Sequence, residues 1–178
     1  MTEKKNGIII QNHHDMMKKK ICYEYFIFND KKEGEYKYYY KNGQLGIIYN
    51  YKNDNLEGEH KMYCDNRQFY SIYNYKNGKK EGEYKSYHKN GQLCTICNYK
   101  NGNFEEEYKE YYKNGQLYYI YNYKNNKKEG EYKKYHENGK LWKLCNYKND
   151  KIEGEYKSYH ENGQLSYECT YKNDKLDG

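Results

Sequence analysis

The chain has 178 residues, 29 of them Tyr and none Pro, and carries 32 Lys and Arg against 26 Asp and Glu for a net charge of +6. Its mean hydropathy of −1.54 belongs to chains that bury little, and no apolar run is long enough for a membrane-spanning helix or a signal peptide. The expectation is an intracellular, cytoplasmic protein whose buried material is tyrosine.

Residues 1–20 stand apart as a leader or N-terminal cap, with five Lys against Glu3 and Asp15. Lys18, Lys19 and Lys20 follow Met16-Met17. Near an anionic lipid surface each lysine adds about 1 kcal/mol, which makes these three the candidate lipid contacts. From Ile21 the alternation Ile21, Tyr23, Tyr25, Ile27 reads as a strand. Residues 21–33 then form half of a degenerate repeat.

From residue 34 the chain repeats. The Gly of Glu-Gly-Glu stands at Gly34, Gly58, Gly82, Gly130, Gly154 and Gly178, always 24 residues or a multiple apart, with Glu106 in the one vacant place. Six units therefore span 34–177 and a seventh begins at Gly178. Each unit has two turn signals. One is Asn-Gly, as at Asn42-Gly43 and Asn162-Gly163, for which a two-residue type I′ turn is expected. The other follows Tyr-Lys-Asn, as at Asn53-Asp54 and Asn173-Asp174. The runs between them, about seven residues long, suit strands.

Pairing across Asn162-Gly163 sets His160 opposite Leu165, Ser158 opposite Tyr167, Tyr156 opposite Cys169 and Gly154 opposite Tyr171. The period of two then makes one face aromatic and apolar and the other mostly charged. Tyr36, Tyr84, Tyr108, Tyr132 and Tyr156, with Tyr51, Tyr75, Tyr99, Tyr123, Tyr147 and Tyr171, line the first face and are the candidate partner-binding residues. The Gly opposite Tyr51, Tyr75, Tyr99, Tyr147 or Tyr171 reads as room for a ring laid across the backbone. Two units depart from the pattern. Asn66-Arg67 replaces Asn-Gly in the second, where His60 also replaces Tyr, and Glu106 in the fourth must avoid the ring of Tyr123. A bulge or splay costing about 1 kcal/mol is expected at each.

Units such as GEYKSYHKNGQL followed by YKNGNFEEEY resemble MORN repeats, in the longer variant with a central Asn-Gly turn, over roughly residues 21–178. The resemblance implies hairpins stacked into one twisted antiparallel sheet, with aromatics along a shallow groove. It implies scaffolding, protein association and, in some members, proximity to membranes, and it does not imply an enzyme. The expected fold is all-β, an elongated single-layer antiparallel sheet of tandem β-hairpin repeats with about 13 strands.

Other chemistry is weakly supported. Cys94 and Cys97 match C-x-x-C, but residues three apart on a regular strand face opposite ways. Cys145 and Cys169 are two strand spacings apart, roughly 9–10 Å, so the thiols read as small apolar fillers rather than metal ligands or disulfides. His88, His136 and His160 share a place that Tyr40 and Tyr112 fill in other units, so that place wants an amphipathic ring. No unlike groups converge as a catalytic site requires, and no cofactor is expected. Lys37, Lys61, Lys85, Lys109, Lys133 and Lys157 share a face with a Glu two residues before each, and interleaved charge of this kind argues against nucleic acid, which favours a stripe of one sign. The reading is a non-catalytic scaffold that binds a protein through the tyrosine face, self-association included. The alternatives are peripheral binding to anionic lipid through the leader, and an antitoxin-like role that rests on analogy.

Overall fold

The computed structural model describes residues 7–14, 20–64, 66 and 68–177, and among these it contains strands and turns but no helix. The chain divides into two compact units, residues 1–82 and 83–178. The first holds β1 (Gly7–His14), β2 (Lys20–Phe28), β3 (Lys31–Tyr39), β4 (Leu45–Lys52), β5 (Asn55–Tyr63) and β6 (Phe69–Lys76), and β7 (Lys79–Tyr87) spans the division. The second continues with β8 (Leu93–Lys100), β9 (Asn103–Tyr111), β10 (Leu117–Lys124), β11 (Lys127–Tyr135), β12 (Leu141–Lys148), β13 (Lys151–Tyr159), β14 (Leu165–Lys172) and the short β15 (Lys175–Leu176). Within each unit every strand pairs antiparallel with the next, so each is a single layer of tandem hairpins. Residues 7–14 supply a partner for β2, with His14 opposite Lys20. Lys18 and Lys19 lie outside the described residues.

The type I′ turn expected at Asn-Gly is found at the other turn signal. After Tyr-Lys, both central residues have positive φ: 50° and 66° at Asn53-Asp54, 51° and 70° at Asn149-Asp150. That φ pair belongs to the type I′ hairpin. At the Asn-Gly corners only the Gly is left-handed, for example Gly163 at φ 92°. There the Gly163 N–H donates to His160 O at 2.8 Å and the His160 N–H donates to Gln164 O at 2.9 Å. This is a type I turn closed by a glycine bulge. Asn is favoured in it for its side chain, since Asn162 Oδ1 accepts from the Gln164 N–H at 2.9 Å.

The bulge shifts the register by one residue. Ser158 faces Tyr167, Tyr156 faces Cys169 and Gly154 faces Tyr171 as the repeat suggests, but Leu165 pairs with Tyr159 rather than His160. Leu45, Leu117 and Leu141 do the same with Tyr39, Tyr111 and Tyr135. The leucines therefore lie on the charged face. The residue after each leucine is turned onto the aromatic face, where a Cβ on Gly46 would stand 2.8 Å from the Tyr38 ring.

The glycines of Glu-Gly-Glu also serve another purpose than the expected one. Gly34, Gly58, Gly82, Gly130 and Gly154 have φ of 74° to 82°, and nothing lies within 4 Å of a Cβ built on any of them. What these positions demand is the left-handed backbone of a bulge, not space for a ring. Glu106 adopts the same conformation, φ 63°, and keeps its place opposite Tyr123. No splay results, and the cost of the missing Gly stays in one backbone angle. In the second unit of the repeat Arg67 lies outside the described residues, yet the Cys64 N–H donates to Gln68 O at 2.8 Å as at the other corners.

Candidate functional site

The tyrosines expected on one face are brought together there, and most are held by each other. In the first compact unit Tyr25, Tyr36, Tyr49, His60 and Tyr73 form one row, with ring centres 6.0, 4.6, 5.0 and 4.5 Å apart in that order. In the second unit the corresponding row mixes rings and thiols: Cys97, Tyr108, Tyr121, Tyr132, Cys145, Tyr156, Cys169. Cys97 and Cys145 are each 2% exposed and Tyr121 is 7% exposed. Burial dominates their chemistry. It pushes the Cys145 thiol up to about 11 and the Tyr108 hydroxyl up to about 12, so these groups stay protonated and unreactive.

A second row runs at the type I′ edge. Tyr51 and Tyr75 in the first unit, and Tyr99, Tyr123, Tyr147 and Tyr171 in the second, alternate with residues near the start of the strands between them. Phe104 stacks at 4.7 Å from Tyr99 and 4.8 Å from Tyr123. The Lys32 ammonium lies 5.0 Å from the Tyr51 ring centre, and that of Lys128 lies 4.8 Å from Tyr121 and 5.1 Å from Tyr147. The spaces between these rings are thus filled by the chain's own cations and apolar groups.

Side chains also tie each repeat to its neighbour. At the type I′ edge Glu33, Glu57, Glu105, Glu129 and Glu153 accept from the backbone N–H of Asn53, Asn77, Asn125, Asn149 and Asn173 at 2.7 to 3.0 Å. These carboxylates cap turns. At the corner edge the shared His or Tyr bonds a carbonyl of the next repeat: Tyr40 to Tyr63 O at 2.7 Å, His88 Nε2 to Tyr111 O at 2.8 Å, Tyr112 to Tyr135 O at 2.9 Å and His136 Nε2 to Tyr159 O at 3.0 Å. A ring with a polar tip is what this place needs.

On the opposite face each Lys pairs with the Glu two residues before it, from Glu35–Lys37 to Glu155–Lys157. Lys157 also reaches Glu168 at 3.2 Å. Among the described residues no three His, Cys, Asp or Glu side chains converge as a metal site, and no helix is long and apolar enough to cross a membrane.

Sequence reasoning missed a place at the corner edge. Trp142, the single tryptophan, stacks on His136 at 5.1 Å and 18°. The Lys134 ammonium is 4.1 Å from its ring centre and that of Lys143 is 5.3 Å away. Beside it opens a cleft of about 460 Å³ lined by Tyr112, His136, Trp142, Ser158, Tyr159 and His160, with Glu137 and Glu161 also at its wall. The signal was present in the sequence as departure from the repeat: Lys134 stands where other units have Ser86 or Ser158, and Trp142 where they have Gly46, Cys94 or Ser166.

A family model described as a MORN repeat variant matches residues 32–53, 80–101, 107–125, 128–149 and 152–173. Each matched stretch contains one Asn-Gly corner, and the stretch with Asn66-Arg67 falls between matches. No curated protein matches the chain.

Proposed function

The chain belongs to the MORN repeat variant family, and from that premise we propose that it is a non-catalytic scaffold holding a protein partner along its aromatic face. MORN repeats are in general scaffolds for association with proteins or membranes. The observation that carries the protein reading is the uncovered ring surface. Each compact unit is a single sheet layer, and no helix or second layer lies on the tyrosines among the described residues. Most rings shield one another, but Tyr70 and Tyr167 remain 50% and 48% exposed. Tyrosine offers amphipathic area with little conformational freedom to lose.

The ladder makes Tyr84, Tyr108 and Tyr132 poor probes, because their rings hold up their neighbours. Tyr70→Ser and Tyr167→Ser are better, with Lys109→Ser on the opposite face as control. Partners retained from the native cell are identified, purified and bound again one at a time. The aromatic-face variants are expected to weaken binding by on the order of tenfold while Lys109→Ser does not. Equal binding by all three refutes the reading. Salt-sensitive flotation with phosphatidylserine vesicles, without any retained protein, would favour the anionic-lipid alternative instead.

A further inference from the structure

Resting on the scaffold reading, we propose that the segment it holds in its second unit is a short extended peptide with a carboxylate and apolar side chains two positions apart, on one side of its backbone, seated at Trp142. Charge on the aromatic face there is unevenly answered. By register its charged residues are Lys128, Lys134, Lys143, Glu106 and Glu110. Glu110 accepts the hydroxyl of Tyr119, and Glu106 and Lys128 belong to the type I′ edge. Lys134 lies between the Tyr118 and Trp142 rings at 4.7 and 4.1 Å as Lys128 lies between its two, but Lys134 has a second ammonium beside it. Lys134 and Lys143 face each other across β11 and β12 and have no ion-pair partner among the described residues. On the reverse side Lys133 of β11 and Lys157 of β13 each have one.

Two ammonium groups at one indole, 4.1 and 5.3 Å from its centre, without a carboxylate are a site for one, and the cleft beside the indole is a site for an apolar neighbour. The cleft of about 460 Å³ takes a side chain beyond Trp142. Its wall carries Glu137 and Glu161, which repel a continuous acidic run and select a carboxylate placed inward, over the lysines. Nucleic acid fits less well. Base stacking needs an open ring face, and Trp142 has His136 on its ring at 5.1 Å and Lys134 over it at 4.1 Å. A membrane gains only about 2 kcal/mol from two lysines.

Trp142 is itself the reporter, being the one indole in the chain. The full chain is titrated with the capped peptide Gly-Leu-Ser-Glu-Ser-Leu-Gly, which puts Leu, Glu and Leu on one side, with its Gln-for-Glu counterpart, and with phosphatidylserine vesicles. The acidic peptide is expected to shift Trp142 emission saturably, the neutral one to bind on the order of tenfold more weakly, and added salt to reduce the difference. Lys134→Gln with Lys143→Gln should abolish the preference, whereas Lys133→Gln with Lys157→Gln should leave it intact. Equal response to both peptides, no response, a response to vesicles alone, or an unchanged preference in the Lys134/Lys143 variant overturns the proposal. If partner capture still depends on Tyr167 in that case, the scaffold reading stands and only the acidic segment is lost.

Discussion

The two compact units fill the same row of the same backbone with different material. In residues 1–82 the row is rings throughout, and His60 lies nearly parallel to Tyr49 and Tyr73, at 4° and 18°. In residues 83–178 thiols replace some of the rings, while in both units the row meets the second row edge-on, at 87° for Tyr36 and Tyr51 and 78° for Tyr132 and Tyr147. The repeat therefore specifies a slot that is narrow between strands and apolar, not a residue. An imidazole or a thiol is accepted wherever its bulk is compensated nearby. What each substitution brings is its own chemistry: a titratable group in one unit, unreactive buried sulfur in the other.

That contrast can be broken most forcefully in the second unit. Tyr121, 7% exposed, bridges Tyr108 at 5.2 Å and Tyr132 at 5.7 Å. Tyr121→Ala should cost about 4 kcal/mol in urea unfolding followed by far-UV dichroism, because thiols cannot close the gap that the ring leaves. The first unit should instead fail in acid. Burial between two rings, and then the nearby Lys80 ammonium, hold the His60 imidazole down at about 4 from its usual 6.5, and its Nδ1 has no hydrogen-bond partner among the described residues. A depressed folded value means that the stabilisation is complete above pH 6.5 and is lost as the pH falls toward 4. The loss should reach about 3 kcal/mol, and His60→Phe should flatten the difference in stability between pH 7 and pH 4. The smallest effect lies at the shared bulge. Glu106→Gly relieves a left-handed Glu and should raise stability by about 1 kcal/mol, with Gly130→Ala lowering it by a similar amount; equal melting of Glu106→Gly and the parent would show that this backbone angle carries no strain.

The period, the strands and the aromatic face were legible because a 24-residue repeat tests every assignment several times over. The turn types were not. Asn-Gly satisfies both a type I′ turn and a type I turn with a glycine bulge, and the choice rests on whether Gln164 N–H finds the Asn162 side chain, which composition does not show. From that one ambiguity followed the misplacement of Leu45, Leu117, Leu141 and Leu165. The reason for the Glu-Gly-Glu glycines was misread in the same way, since a bulge and a tight ring contact both call for Gly. The Trp142 cleft was hidden by the habit of reading what recurs, when Lys134, Trp142 and Lys143 matter by not recurring.

The capping carboxylates have a consequence for how such a chain changes over generations. Each Glu before the bulge serves an Asn twenty residues on, and Glu105 and Glu129 serve Asn125 and Asn149 in the same manner. Excising residues 107–130 would join Glu106 to Glu131 and hand Asn149 to Glu105 with nothing left over. Loss or gain of whole 24-residue modules therefore leaves each such turn its acceptor, whereas an indel that is not a multiple of 24 residues strands a turn without one.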